Sequence, residues 1–313
     1  MTSIFENTQS PVMIHILHDE TLTDDNRQKF LRTAEKYNQE VNLIDVTEYA
    51  KHITGEAFEL FKRTFSIGTS FRFFIPEVLN LDKVIYLDCD ISVNLDIKEL
   101  WDIGLEDYYV AAVLDEGVVK VCTRKAGSYT EQNIKNKINH CDVHKYFNAG
   151  VLVMNLKILR ENMNLFDEAS KFMKRHLHSC QWADQEVLNS LFYNHVKFID
   201  GKFNRLAVFY KSCDDLKGSI SHSAAGSKLW SVTGTPAQYF YWDYYLRSAW
   251  GENTTREELV KIMLNAVPEQ KLTKPHWTIR ILLKIRNKIY PDWLKRTIKM
   301  LWIEFLYRIG FKK

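Results

Sequence analysis

Short apolar runs alternate with amphipathic stretches along this chain. Residues 12–17 (VMIHIL), 41–46 (VNLIDV), 84–87 (VIYL), 110–114 (VAAVL) and 196–199 each read as a strand. Residues 147–154 (FNAGVLVM) contain one more, expected to begin after the FNAG tetrapeptide. Thr23-Asp24-Asp25 has the form of a helix start, with acids in the first turn where they complement the helix dipole. Phe30, Leu31, Ala34 and Tyr37 follow at helical spacing. Further helices are expected near 57–65, within 66–79, over 156–173 and over 184–193. Strands alternating with helices predict an α/β sheet covered on both faces. Ligands of such sheets bind beyond the carboxyl ends of the strands.

One of those ends carries Asp88-Cys89-Asp90, directly after the 84–87 run. Alternate residues of an extended chain share a face, so both carboxylates can aim the same way. Two like charges held that close repel, and burial raises the cost. A hard divalent cation between them makes the arrangement favourable, and oxygen ligands suit Mg²⁺ and Mn²⁺. The plain alternative is a polar strand end, with Asp88 capping a turn and Asp90 solvated.

Composition adds a division of the chain. The 313 residues are 46% hydrophobic and 26% charged, enough for one large α/β domain with an appendage. The last 43 residues hold 12 Lys and Arg against 2 Asp and Glu, whereas residues 1–270 hold 30 against 37. Residues 1–255 are therefore expected to form the main domain and 256–313 a basic, amphipathic helical region. In 277–313, cations interleave with Trp, Tyr, Ile and Leu, a pattern that suits a helix lying on an anionic membrane surface. A helical pair packed on the body with a solvated basic face explains the same pattern. No nucleic-acid recognition motif is visible. Five cysteines form no CxxC pair, which argues against a disulfide framework or zinc cluster. No run approaches the roughly 18 apolar residues of a membrane span. The expected location is cytoplasmic, peripheral on the inner face of the membrane.

Further chemistry-bearing pieces surround the acidic pair. Arg72 precedes it; Phe147-Asn148-Ala149-Gly150, Trp182-Ala183-Asp184-Gln185 and His222-Ser-Ala-Ala-Gly226-Ser-Lys228 follow. Each alone is weak: Asp184 can simply cap its helix, and Asn-Ala-Gly can be a turn. The histidine segment reads as a loop.

In this order, YLDCD (86–90), FNAGV (147–151), ADQ (183–185) and HSAAGSKLW (222–230) resemble glycosyltransferase family 8, over about residues 12–250. That family includes retaining lipooligosaccharide galactosyl- and glucosyltransferases. The resemblance implies a GT-A fold with a mixed, mostly parallel sheet, a UDP-sugar donor and a bound Mn²⁺ (or Mg²⁺). By it, Asp88, Asp90 and His222 are metal ligands, and Lys228 and Gly226 face the diphosphate. Arg72, Asn148, Ala149, Gly150, Asp184 and Gln185 hold the sugar, and Asp115 lies toward the acceptor. Gln185 and Asp184 are the candidates for the catalytic group on the reacting face. The resemblance also implies an opening strand and helix before the part that matches VMIHILHDE, with contacts to uracil and ribose. The first seven residues read as the end of that helix, so a central strand is expected to be missing, leaving an exposed sheet edge.

The function expected is transfer of galactose or glucose from a UDP-sugar to a glycan or glycolipid of the cell surface. Two rivals stay open: a truncated, non-catalytic relative acting as a binding module, and a nucleotidyltransferase. The second should carry a Gly- and Lys-rich phosphate loop near its start, and none is visible.

Overall fold

A computed structural model describes residues 1–51, 67–123, 143–176, 184–224, 228–230, 235–252 and 254–255. The expected helix near 57–65, Gly226 and the basic region from 256 onward lie outside them. Contacts divide the chain into compact units Met1–Ala266 and Val267–Lys313. Among the described residues no helix is long and apolar enough to cross a membrane.

The chain begins with α1 (Thr2–Asn7), β1 (Met13–His18), α2 (Asp24–Lys36), β2 (Glu40–Asp45) and α3 (Thr47–Lys51). Thr23 caps α2, its side chain accepting from Asn26 N. A 3₁₀ helix (Ile67–Phe74) runs into α4 (Ile75–Val78), where Pro76 suits the first turn. Then come β3 (Lys83–Leu87), β4 (Ile91–Val93), α5 (Lys98–Trp101), β5 (Val110–Leu114) and α6 (Glu116–Thr123). β6 (Phe147–Asn155) precedes α7 (Leu156–Asn162), α8 (Leu165–His176), α9 (Asp184–Leu191) and β7 (Val196–Phe198). The described part closes with β8 (Arg205–Leu206), β9 (Ile220–His222) and α10 (Pro236–Arg247).

The strands form three sheets: β1-β2, β3-β6-β5-β7 and β4-β9-β8. Among the described residues three of the six pairings are parallel, fewer than the sequence suggests, because β6 runs against both β3 and β5. Among the described residues β1 bonds only to β2, and β3 only to β6.

Apolar cores cover both faces. Ala112, Leu152 and Met154 point into one cluster with Phe74 and Leu188; Ala111, Val113, Val151 and Val153 point into the other with Ile4 and Leu100. Such two-sided burial explains the near-continuous apolar runs of β5 and β6.

Three elements depart from expectation. FNAG lies within β6 rather than before it. The helix expected over 156–173 is two helices: Met163 is extended, and the Asn164 side chain accepts from Asp167 N at 2.9 Å to start the second. His222 is not in a loop. It ends β9, whose three residues are all buried and paired with β4.

Candidate active site

Two ladders deliver the acids and the imidazole. The β3–β6 pairing runs one bond beyond β3, with Asp88 N donating to Gly150 O at 2.9 Å. Three residues later the chain enters β4, where Ile91 faces His222 across the ladder. Ser223 N then donates to Asp90 O at 3.0 Å. His222 Nε2 lies 3.3 Å from Asp90 Oδ1 and 3.6 Å from Asp88 Oδ2. One potential ligand atom from each of the three residues falls within 4.8 Å of the others.

The remaining carboxylate oxygens are held by other groups. Asp88 Oδ1 accepts from Arg72 Nη2 and from the Tyr86 hydroxyl, each at 2.7 Å. Asp90 Oδ2 takes the Lys228 ammonium at 2.5 Å. Each acid thus has one oxygen anchored and one facing the imidazole. Burial alone would raise the Asp90 carboxyl; His222 and Lys228 outweigh it and hold Asp90 far below the ordinary carboxylate range.

Gly150 forms one wall. A Cβ there would overlap His222 Cε1 and lie 2.7 Å from Nδ1 and 2.9 Å from Asp88 Oδ2. The glycine of FNAG is needed for close approach of the ring rather than for a turn.

Arg72, 5% exposed, links the acids to Asp184. Its Nη1 lies 2.8 Å from Asp184 Oδ2 and donates to Ala149 O at 3.0 Å, while the guanidinium sits 4.4 Å from the Tyr86 ring centre. Burial would lower the guanidinium pKa, but the charges of Asp184 and Asp88 keep it above its ordinary value. Burial raises the Asp184 carboxyl to about 6; Arg72 opposes the rise and Asp88 adds to it.

A second network lies behind the acids. Asp115 Oδ2 accepts from Asn148 Nδ2 and Gln185 Nε2, both at 2.9 Å, and Oδ1 accepts from Val118 N. Gln185 Oε1 accepts from Ala149 N at 3.0 Å. Asn148 Oδ1 accepts from Gly150 N and from Asn204 Nδ2, and Asn204 Oδ1 meets His222 Nδ1 at 3.0 Å.

The structure therefore gathers Arg72, Asp88, Asp90, Asp115, Asn148, Ala149, Gly150, Asp184, Gln185, His222 and Lys228 into one connected set. Gly226 lies outside the described residues. Tyr86, Asn189 and Asn204 escape the sequence reading. Tyr86 alternates with Asp88 along the strand, a signal hidden by its place in an apolar run. Asn189 ties α9 to β6 by bonding Phe147 N and O. Asn204 stands in a short turn with no motif around it.

The family model for glycosyl transferase family 8 matches residues 1–233. The chain belongs to glycosyltransferase family 8. A putative glycosyltransferase of Haemophilus influenzae is 28% identical over 243 residues, 73% of this chain and 67% of that protein. The lipopolysaccharide 1,3-galactosyltransferase of Salmonella typhimurium is 24% identical over 289 residues, 88% of this chain and 81% of that protein. The solved galactosyltransferase LgtC, in complex with donor and acceptor sugar analogs, superposes with a TM-score of 0.65 at 26% identity, covering 83% of this chain and 93% of that one. The fold is GT-A, as the resemblance implies. This family 8 member is thus a glycosyltransferase, with an Asp-Asp-His group at the carboxyl end of β3 able to hold a metal.

Proposed function

We propose that this chain transfers a hexose, galactose or glucose, from a UDP-sugar to a surface glycan or glycolipid with retention of configuration. The single observation that carries the reading is that Asp88, Asp90 and His222 each bring a potential ligand atom within 4.8 Å of the others. The mixed oxygen and nitrogen set favours Mn²⁺ over Mg²⁺. Its place at the end of β3 is where an α/β sheet binds its ligand. Asp88, Asp90 and His222 would hold that metal, which when bound would supply positive charge against the leaving diphosphate.

The protein's own groups do the rest. Lys228, already beside Asp90, supplies a second positive charge to the departing diphosphate, where it acts mainly on the transition state. Arg72 and Asp184 hold the sugar between the acids and α9. Gln185 and Asp184 face the anomeric carbon and stabilise its developing positive charge. Asp115, on the acceptor side, keeps Gln185 and Asn148 in orientation with both its oxygens engaged. The basic segment 277–313 brings the enzyme to an anionic membrane surface that carries a lipid-linked acceptor.

The test is UDP release from UDP-galactose and UDP-glucose with and without Mn²⁺. Asp88→Asn and His222→Ala are each expected to abolish Mn²⁺-dependent turnover while circular dichroism stays native. Turnover unchanged in both variants refutes the metal role.

A further inference from the structure

We infer that Asn204 fixes which ring nitrogen of His222 faces the two acids, making it a positioning residue for the proposed metal site. The inference rests on that metal reading. It comes from the direction of one buried hydrogen-bond chain.

The direction is set at Asp115, 5% exposed. A carboxylate only accepts, so Asn148 must present Nδ2 to it. The amide oxygen of Asn148 is thereby turned the other way, where Gly150 N at 3.0 Å and Asn204 Nδ2 at 2.9 Å donate to it. Asn204 commits its amino group to Asn148, so its oxygen must face His222 Nδ1, 3.0 Å away. An amide oxygen cannot donate, so Nδ1 carries the proton. In the neutral ring the lone pair then resides on Nε2, the atom 3.3 Å and 3.6 Å from the two acids. That is the ring form able to ligate a divalent cation from this side.

Without the Asn204 oxygen, the acids on the Nε2 side draw the ring proton to themselves, and the lone pair points away from the site. Asn148, Asn204 and His222 are all at most 4% exposed, so bulk water does not readily take the place of the missing acceptor. A carboxylate three hydrogen bonds along the chain thus selects the metal-binding tautomer.

The test is ¹⁵N NMR of the His222 ring in the full protein, metal-free and saturated with Mg²⁺. Nδ1 is expected to carry a proton in both, and Nε2 to carry none once Mg²⁺ is bound. Asn204→Leu, close in size, is expected to invert the tautomer and weaken Mg²⁺ binding by calorimetry about 10- to 100-fold. Asn204→Asp keeps an acceptor toward Nδ1 and is expected to retain the wild-type tautomer. A wild-type ring with a bare Nδ1 overturns the inference even if no variant folds. So does a folded Asn204→Leu protein with tautomer and Mg²⁺ affinity unchanged. A protonated Nδ1 in a wild-type protein that binds no Mg²⁺ or Mn²⁺ supports the orientation and overturns the metal reading instead.

Discussion

The His222 ring occupies the space where a side chain on residue 150 would begin. Gly150 lies in β6 and His222 ends β9, so strands of two different sheets meet without a Cβ between them. Gly150→Ala is expected to push the ring off its two acids. Overpacking of this kind costs about 1–3 kcal/mol of stability. Mn²⁺ affinity should fall at least tenfold, because a ligand displaced by even part of an ångström leaves the coordination sphere. Denaturant midpoints and calorimetry measure the two effects; a variant with native metal affinity contradicts the close-approach role.

Lys228 would compete for Asp90 with a metal ion in the proposed site. In the structure the ammonium holds Oδ2 at 2.5 Å, with the lysine side chain 44% exposed. A half-exposed pair is worth up to about 1 kcal/mol. Lys228→Met should therefore tighten Mn²⁺ binding by about two- to fivefold in the absence of nucleotide. UDP binding in the presence of Mn²⁺ should weaken in the same variant, because the diphosphate loses its cation. Opposite signs in two titrations distinguish this exchange from general damage to the site, which weakens both.

Asp184 gives the site a pH signature. Its folded value of about 6 exceeds the ordinary 3.8, so the protonated carboxyl favours the fold. That contribution is complete below about pH 4 and is lost as the pH rises through the folded value. The full change is on the order of 3 kcal/mol. Asp184→Asn should remove it, so the stability difference between wild type and variant changes across this window and is level above it. Urea denaturation at a series of pH values measures the difference. A difference that does not vary between pH 4 and 7 rules the assignment out.

The reach of the sequence followed the distance over which each interaction acts. Asp88 and Asp90 are readable because a local pattern, an apolar strand ending in alternate acids, states their geometry. Gly150 is visible as a special residue, but the ring that requires it lies 72 positions away, so its purpose is not. His222 becomes a ligand only through the family resemblance, and its segment reads as a loop because three residues are too few to show a strand period. Its place is set by pairing with Ile91, a contact no local pattern encodes. The break at Met163 was missed because apolar spacing continues through it, while the Asn164 cap that restarts the helix is one polar residue among several. Asn204 carries no motif; its role exists only because β6 and the turn before β8 bring two amides and a ring into line.

Asp88 serves two masters. One oxygen faces the His222 ring, and the other is tied through Tyr86 to the apolar cluster that contains Phe74. If the proposed site holds a metal, ligation there and packing in the interior are expected to be reciprocally coupled: loosening the apolar cluster would weaken the grip on the ion, and filling the site would stiffen the cluster in return.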